Sequence, residues 1–188
     1  MNAHAITLVA LASLTATASA ATADEASPYQ AISLEKVEPQ QAIEKFGAVC
    51  LPGFPDADGF RSALKNSPDP YVRVATADPK KRQLWRTDSV YVNYSFATPG
   101  KAEPAVPQCN FDAVAPGAVD REYVAQLIER LIERESKART RPARTSANGY
   151  YSWSWTVKKQ PVRLLYIYGP PLKPHQISLS LQVWNGTE

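Results

Sequence analysis

The stretch YYSWSWTVKKQPVRLLYIYGPPLKPHQISLSLQVW, Tyr150 to Trp184, decides how this chain folds. It reads as three β-strands in succession: Tyr150–Val157, Val162–Tyr168 and Ile177–Trp184. In the first, Tyr151, Trp153, Trp155 and Val157 alternate with Tyr150, Ser152, Ser154 and Thr156. In the third, Ile177, Leu179, Leu181 and Val183 alternate with Ser178, Ser180, Gln182 and Trp184. A period of two with one large apolar face marks a half-buried antiparallel strand. The middle strand is apolar on both faces, as a central strand should be. The stretch therefore predicts a sheet. It does not name a function.

The chain has 188 residues and a formal net charge of +3. That length suffices for one domain with a real core. The charge excess is too small to argue for nucleic acid. Ile6 to Leu14 is a short apolar run, followed by the small-x-small signature Ala18-Ser19-Ala20. Together they read as a secretory signal peptide over residues 1–20, although no Lys or Arg precedes the run. A retained anchor is the competing reading, but the run falls short of the ~20 apolar residues that a span needs. No later stretch is long enough, so no transmembrane segment is expected after cleavage. The Ala-rich leader points to a periplasmic or secreted protein. In that oxidising compartment, Cys50 and Cys109, the two cysteines of the chain, are expected to pair. The long loop so closed is worth roughly 4 kcal/mol in the chain-entropy picture.

Residues 21–38 form an extended or disordered lead-in, and 39–188 a single domain. Pro39 opens a short helix that Gly47 should stop. Asp56 or Asp58 caps a second, Gly59 to Lys65. Tyr71–Ala77, Ser89–Ala97 and Gln108–Val114 read as strands. Val119 to Lys137 is the best helix: Val124, Leu127, Ile128, Leu131 and Ile132 make one apolar stripe, with Asp120 as N-cap. Ser136 to Gly149 is a basic, Pro-interrupted linker. The fold class expected is α+β: a mostly antiparallel sheet of about six strands, one long amphipathic helix packed on it, and short N-terminal helices. The order of elements also admits two similar α-β-β-β halves.

The layout Phe46…Cys50, then Trp85-Arg86 before an aromatic strand, then Cys109, then a helix and a Tyr/Trp-rich strand resembles a group of small exported proteobacterial proteins of unknown function. The resemblance spans most of the chain after residue 20. It implies export and no particular activity, and it carries no functional residues over.

Catalytic sets are hard to assemble. His175 lies in the Pro170–His175 hairpin connection, and no G-x-S-x-G elbow accompanies Ser178 or Ser180. Two cysteines that pair and one distant histidine make no metal site, so no metal is expected. No G-x-G-x-x-G spacing occurs among the eight glycines, and no cofactor is expected. Asp78, Asp88 and Asp112 are candidates for a carboxylate pair, but each also reads as a turn residue near a strand end.

Two surfaces remain. Tyr150 and Trp184 fall on the polar face of the last sheet, beside Ser178 and Ser180, and suit recognition. Tyr151, Trp153 and Trp155 read as core under the long helix. Lys80, Lys81, Arg82 and Arg86 form a basic turn and its exit. A solvated surface is the plain reading; an anionic envelope component or an acidic partner is the functional one. The sequence thus leads to an exported, non-enzymatic module that binds a periplasmic protein, with an inhibitor- or immunity-type role fitting the profile. The alternatives are a cell-envelope glycan- or peptide-acting hydrolase with carboxylates still to be located, and a glycan-binding module.

Overall fold

The computed structural model describes residues 33–76, 82–95, 106–136, 142–157 and 159–184. The signal-peptide reading of 1–20, the first part of the lead-in, and Asp78, Lys80 and Lys81 lie outside those residues. No helix among the described residues is long and apolar enough to cross a membrane.

The described chain is α+β, with three helices and one eight-stranded antiparallel sheet. In chain order they are α1 (Pro39–Cys50), α2 (Ala57–Asn66), β1 (Val72–Val74), β2 (Arg82–Arg86), β3 (Val90–Ser95), β4 (Gln108–Val114), α3 (Arg121–Ser136), β5 (Arg144–Ala147), β6 (Tyr150–Val157), β7 (Gln160–Ile167) and β8 (Gln176–Val183). The sheet order is β1-β2-β3-β4-β8-β7-β6-β5. Two four-stranded meanders therefore meet where β4 pairs with β8.

The expected count of about six strands is too low. The two extra strands are β2, which the sequence reading took as the exit of a charged turn, and β5, which it placed in the linker. Only Leu84 of β2 is buried, and all four residues of β5 are exposed. Neither strand carries an apolar face to read. Their backbones pair because a neighbouring strand presents an open edge.

Register sorts the side chains into two faces. One row across the sheet runs Gln83, Tyr94, Cys109, Leu181, Leu164, Trp153, Arg144. All three helices pack on this face. Phe46 of α1 meets Phe111 edge-on at 5.9 Å. The Cys50–Cys109 disulfide ties the end of α1 to β4 across 59 residues of sequence. Phe60 of α2 stacks on Tyr94 at 4.6 Å, and the Tyr94 hydroxyl donates to the Pro55 carbonyl at 2.5 Å. Glu129 of α3 accepts from Trp153 Nε1 at 3.4 Å. Val124, Ala125, Leu127, Ile128, Leu131 and Ile132 of α3 are buried in this layer. Trp153 is buried, while Tyr151 and Trp155 pack half-buried at its edge.

Side-chain caps explain two of the helix starts. Asp56 is the cap of α2, accepting from Gly59 N–H at 2.9 Å, and Asp120 accepts from Glu122 and Tyr123 N–H at 2.9 and 3.2 Å. Gly47 is a correction. It does not stop α1, which continues to Cys50. A Cβ there would lie 2.6 Å from Leu131 Cδ1, so this glycine lets α1 and α3 approach. The end of the lead-in is extended and pinned: Val37 N–H donates to Val114 O at 2.8 Å, and Val37 is buried.

Candidate functional site

The opposite face of the sheet is polar at its centre. Its rows read Arg86–Tyr91–Asp112–Ser178–Ile167–Tyr150, then Leu84–Asn93–Asn110–Ser180–Leu165–Ser152, then Arg82–Ser95–Gln108–Gln182–Arg163–Ser154. The three strands β3, β4 and β8 thus contribute nine consecutive lattice positions, and every one is a hydrogen-bonding side chain. Alternation produces this. The residues between them, Val92, Tyr94, Cys109, Phe111, Leu179 and Leu181, are the helix-side core.

Four of the nine are withdrawn from solvent, and Gln108, Asn110, Asp112, Ser178 and Gln182 are half-buried. Tyr91, Asn93, Ser95 and Ser180 are buried, and Asn93 and Ser180 each retain 8% exposure. Burying polar groups is costly unless they bond one another. Arg82 Nε donates to Asn93 Oδ1 at 3.1 Å. The Ser178 hydroxyl bonds the Asp112 carboxylate. Burial pushes the Asp112 carboxyl above the usual aspartate range, while Ser178 and the nearby Arg82 guanidinium pull it back.

The aromatic end of the face is organised by Arg163. Its guanidinium lies 5.8 Å from the Tyr150 ring and 5.5 Å from the Trp184 ring, and it donates to Ser152 Oγ at 3.3 Å. Ser152 Oγ is in turn 2.6 Å from Thr145 Oγ1 on the edge strand. Two rings and a hydroxyl hold the plane of this arginine. Tyr150 and Trp184 are half-buried.

Of the residues singled out in the sequence, Arg82, Arg86, Tyr150, Ser178, Ser180 and Trp184 all fall on this one face. The register brings the two serines together with Asp112 and Asn110 at the centre. Arg82 and Arg86 flank that centre on β2. Tyr150 and Trp184 lie at its far side.

Asp112 corrects its reading as a turn residue: it sits inside β4, paired with Tyr91 and Ser178. Asp88 does lie in the β2–β3 connection. Arg163 is a residue of this face that the sequence reading does not single out. The signal was present, since it is the one charged residue in the apolar run Val162–Tyr168. Asp112 gave a similar signal, lying between Phe111 and Ala113.

On the helix side, charges are matched within the chain. Arg144 donates to both Glu122 oxygens at 3.0 and 2.8 Å and lies 3.5 Å from Glu129. Those contacts, led by the Glu122 hydrogen bonds, raise its pKa. Its guanidinium also covers the Tyr151 ring at 4.9 Å. Burial pushes the Tyr166 hydroxyl up to about 12. A cleft of about 270 Å³ opens among Leu51, Pro52, Ile132 and Trp155, with Glu135 the carboxylate on its lining. His175 sits in the β7–β8 connection, where its carbonyl accepts from Ala115 N–H at 2.8 Å. Among the described residues, no group of three His, Cys, Asp or Glu side chains is placed to hold a metal ion.

Comparison with known proteins gives no family: no family model, no curated protein and no solved structure matches this chain.

Proposed function

We propose that this is an exported, periplasmic binding module without catalytic activity, and that it takes a protein partner on the polar face of its sheet. One observation carries the proposal. Arg82, Arg86, Tyr150, Ser178 and Trp184, half-buried and scattered over more than half of the sequence, share the face on which none of the described helices packs, with Ser180 buried among them. The disulfide and the core under α3, a long helix with an apolar stripe in sequence, keep that face rigid. Rigidity lowers the entropic cost of association. The disulfide also suits an oxidising compartment. An inhibitor- or immunity-type role is the form of binding that a small stapled scaffold fits best.

The hydrolase reading has Asp112 in its favour, since a carboxyl held towards its protonated form suits a general acid. Glycoside cleavage in its usual forms needs a second carboxyl facing the first. Among the described residues, Asp112 is the one Asp or Glu that register places on this face. Binding is therefore the reading retained.

The test is affinity capture by oxidised, tagged protein from envelope extract, run beside a Tyr150→Ala/Trp184→Ala variant. A stoichiometric protein captured by the first and lost from the second supports the proposal. Capture of glycan fragments alone, or capture that the variant leaves unchanged, overturns it.

A further inference from the structure

The cleft beside Trp155 lies on the helix side of the sheet and carries a chemistry of its own. Along β6 the helix-side residues are Tyr151, Trp153, Trp155 and Val157 in succession. The Arg144 guanidinium covers Tyr151, and Trp153 donates to Glu129 of α3. Trp155, next on the same face, has no such partner. Its ring packs against the core, yet it stays half-buried. Among the described residues it makes no hydrogen bond, ring contact or cation contact. A large aromatic ring left partly open beside a cleft suits a ligand site.

The cleft has a volume of about 270 Å³. Leu51, Ile132 and Val157 give it apolar walls, and Thr156 and Glu135 give it polar atoms. Leu51 follows Cys50, so the disulfide to β4 fixes one wall. Glu135 is the one charged residue of the described lining. Its Oε1 accepts from Arg134 Nε at 2.9 Å, and among the described residues nothing bonds Oε2. Arg134 is exposed and lines a different groove, between α1 and α3. An exposed ion pair of this kind contributes little and competes weakly with a ligand.

The indole and the carboxylate select one sign of charge. The face of an aromatic ring is negative and attracts a cation, and a carboxylate does the same. Neither attracts an anion. The apolar walls favour a hydrocarbon body attached to that cation, because its burial removes apolar surface from water.

We infer that this cleft binds an alkylammonium group, with its charge shared by the Trp155 ring and Glu135 and its stem along Leu51, Ile132 and Val157. A free small amine and a lysine side chain of a peptide both present that group. The inference is independent of the binding reading above, since the cleft and the polar face lie on opposite sides of the sheet.

The experiment is a two-dimensional NMR titration of the oxidised protein at neutral pH. It follows the Trp155 indole N–H, assigned with Trp155→Phe, and the backbone amides of Thr156 and Val157. The probes are n-butylammonium, n-butanol, butyrate, methyl glucoside and the peptide acetyl-Gly-Lys-Gly-amide. Butylammonium is expected to shift these signals saturably in the millimolar range, as two weak contacts allow. It should bind at least about threefold more tightly than butanol, butyrate or the glucoside. Glu135→Gln, on exposed α3 surface, should weaken it about threefold with an unchanged melting temperature. Trp155→Leu, read at the Thr156 and Val157 amides, should weaken it about threefold or more. Equal or tighter binding of butanol, butyrate or the glucoside, no shift at Trp155, or indifference to Glu135→Gln overturns the inference. Within a supporting result, tighter binding of the lysine peptide than of butylammonium assigns the group to a polypeptide, and equal or weaker binding assigns it to a free amine.

Discussion

Asp112 and Ser178 stand opposite one another across the β4–β8 junction, and the serine hydroxyl bonds the aspartate there. This places a carboxyl at the seam between the two meanders, where burial disfavours its charge. A raised folded-state pKa has a definite sign. The contribution to stability is full below the unfolded value near 4 and is lost as pH rises through the folded value. The melting temperature of the wild-type protein should therefore carry a component that falls on going from about pH 4 towards neutral. Asp112→Asn should lack that component and melt no lower than wild type at pH 7. A lower melting temperature for the variant at pH 7 would mean that the charged form is the stabilised one.

Gly47 makes a second prediction. The crossing of α1 and α3 makes a larger residue there costly, because Leu131 occupies the space that a side chain would need. Gly47→Leu should destabilise by about 1–3 kcal/mol, the usual range for overpacking. Urea denaturation measures this, and a change under about 0.5 kcal/mol would show that Leu131 moves aside at little cost.

The disulfide should hold the helix layer to the sheet. Closing a 59-residue separation is worth roughly 4 kcal/mol in the chain-entropy model. Cys50→Ala/Cys109→Ala should lower the unfolding free energy by an amount of that order. A loss below ~1 kcal/mol would show that the α1–β4 packing suffices alone.

Edge strand β5 is fastened differently. Arg144 carries it to α3 through Glu122 and Glu129, in a partly exposed ion pair. Arg144→Ala should cost about 1 kcal/mol or less globally. Its local effect should be larger: amide exchange in Thr145–Ala147 should speed up, with β7 and β8 unaffected. Uniform acceleration across the sheet would assign Arg144 a global role.

Much of this molecule is legible in the chain. Alternation marks β3, β4, β6 and β8, because each turns a large apolar set towards the helices, and a short run apolar on both faces marks β7. The stripe from Val124 to Ile132 marks α3. The strands β2 and β5 escape notice because almost nothing in them is buried, so their pairing is a property of backbone edges. The candidate face escapes for another reason. Alternation assigns Asn93, Asn110 and Ser180 to the polar side of their own strands. Their adjacency depends on β4 pairing with β8, across a helix and three intervening strands, and one sequence does not specify that register. Arg163 and Asp112 are the exceptions, since a charge inside an apolar strand is visible without any pairing. Gly47 misleads because a glycine that ends a helix and a glycine that admits a neighbouring helix look alike.

The most direct test of the account compares two faces of one folded protein. The partner captured by the wild-type protein would be titrated against Tyr150→Ala/Trp184→Ala and against Arg130→Ala/Arg134→Ala, each shown to keep its disulfide and its melting transition. The account predicts a loss of about tenfold or more for the sheet-face pair and wild-type affinity for the helix-side pair. Wild-type affinity in the sheet-face pair, with loss in the helix-side pair, would place recognition on the helix layer and contradict the account.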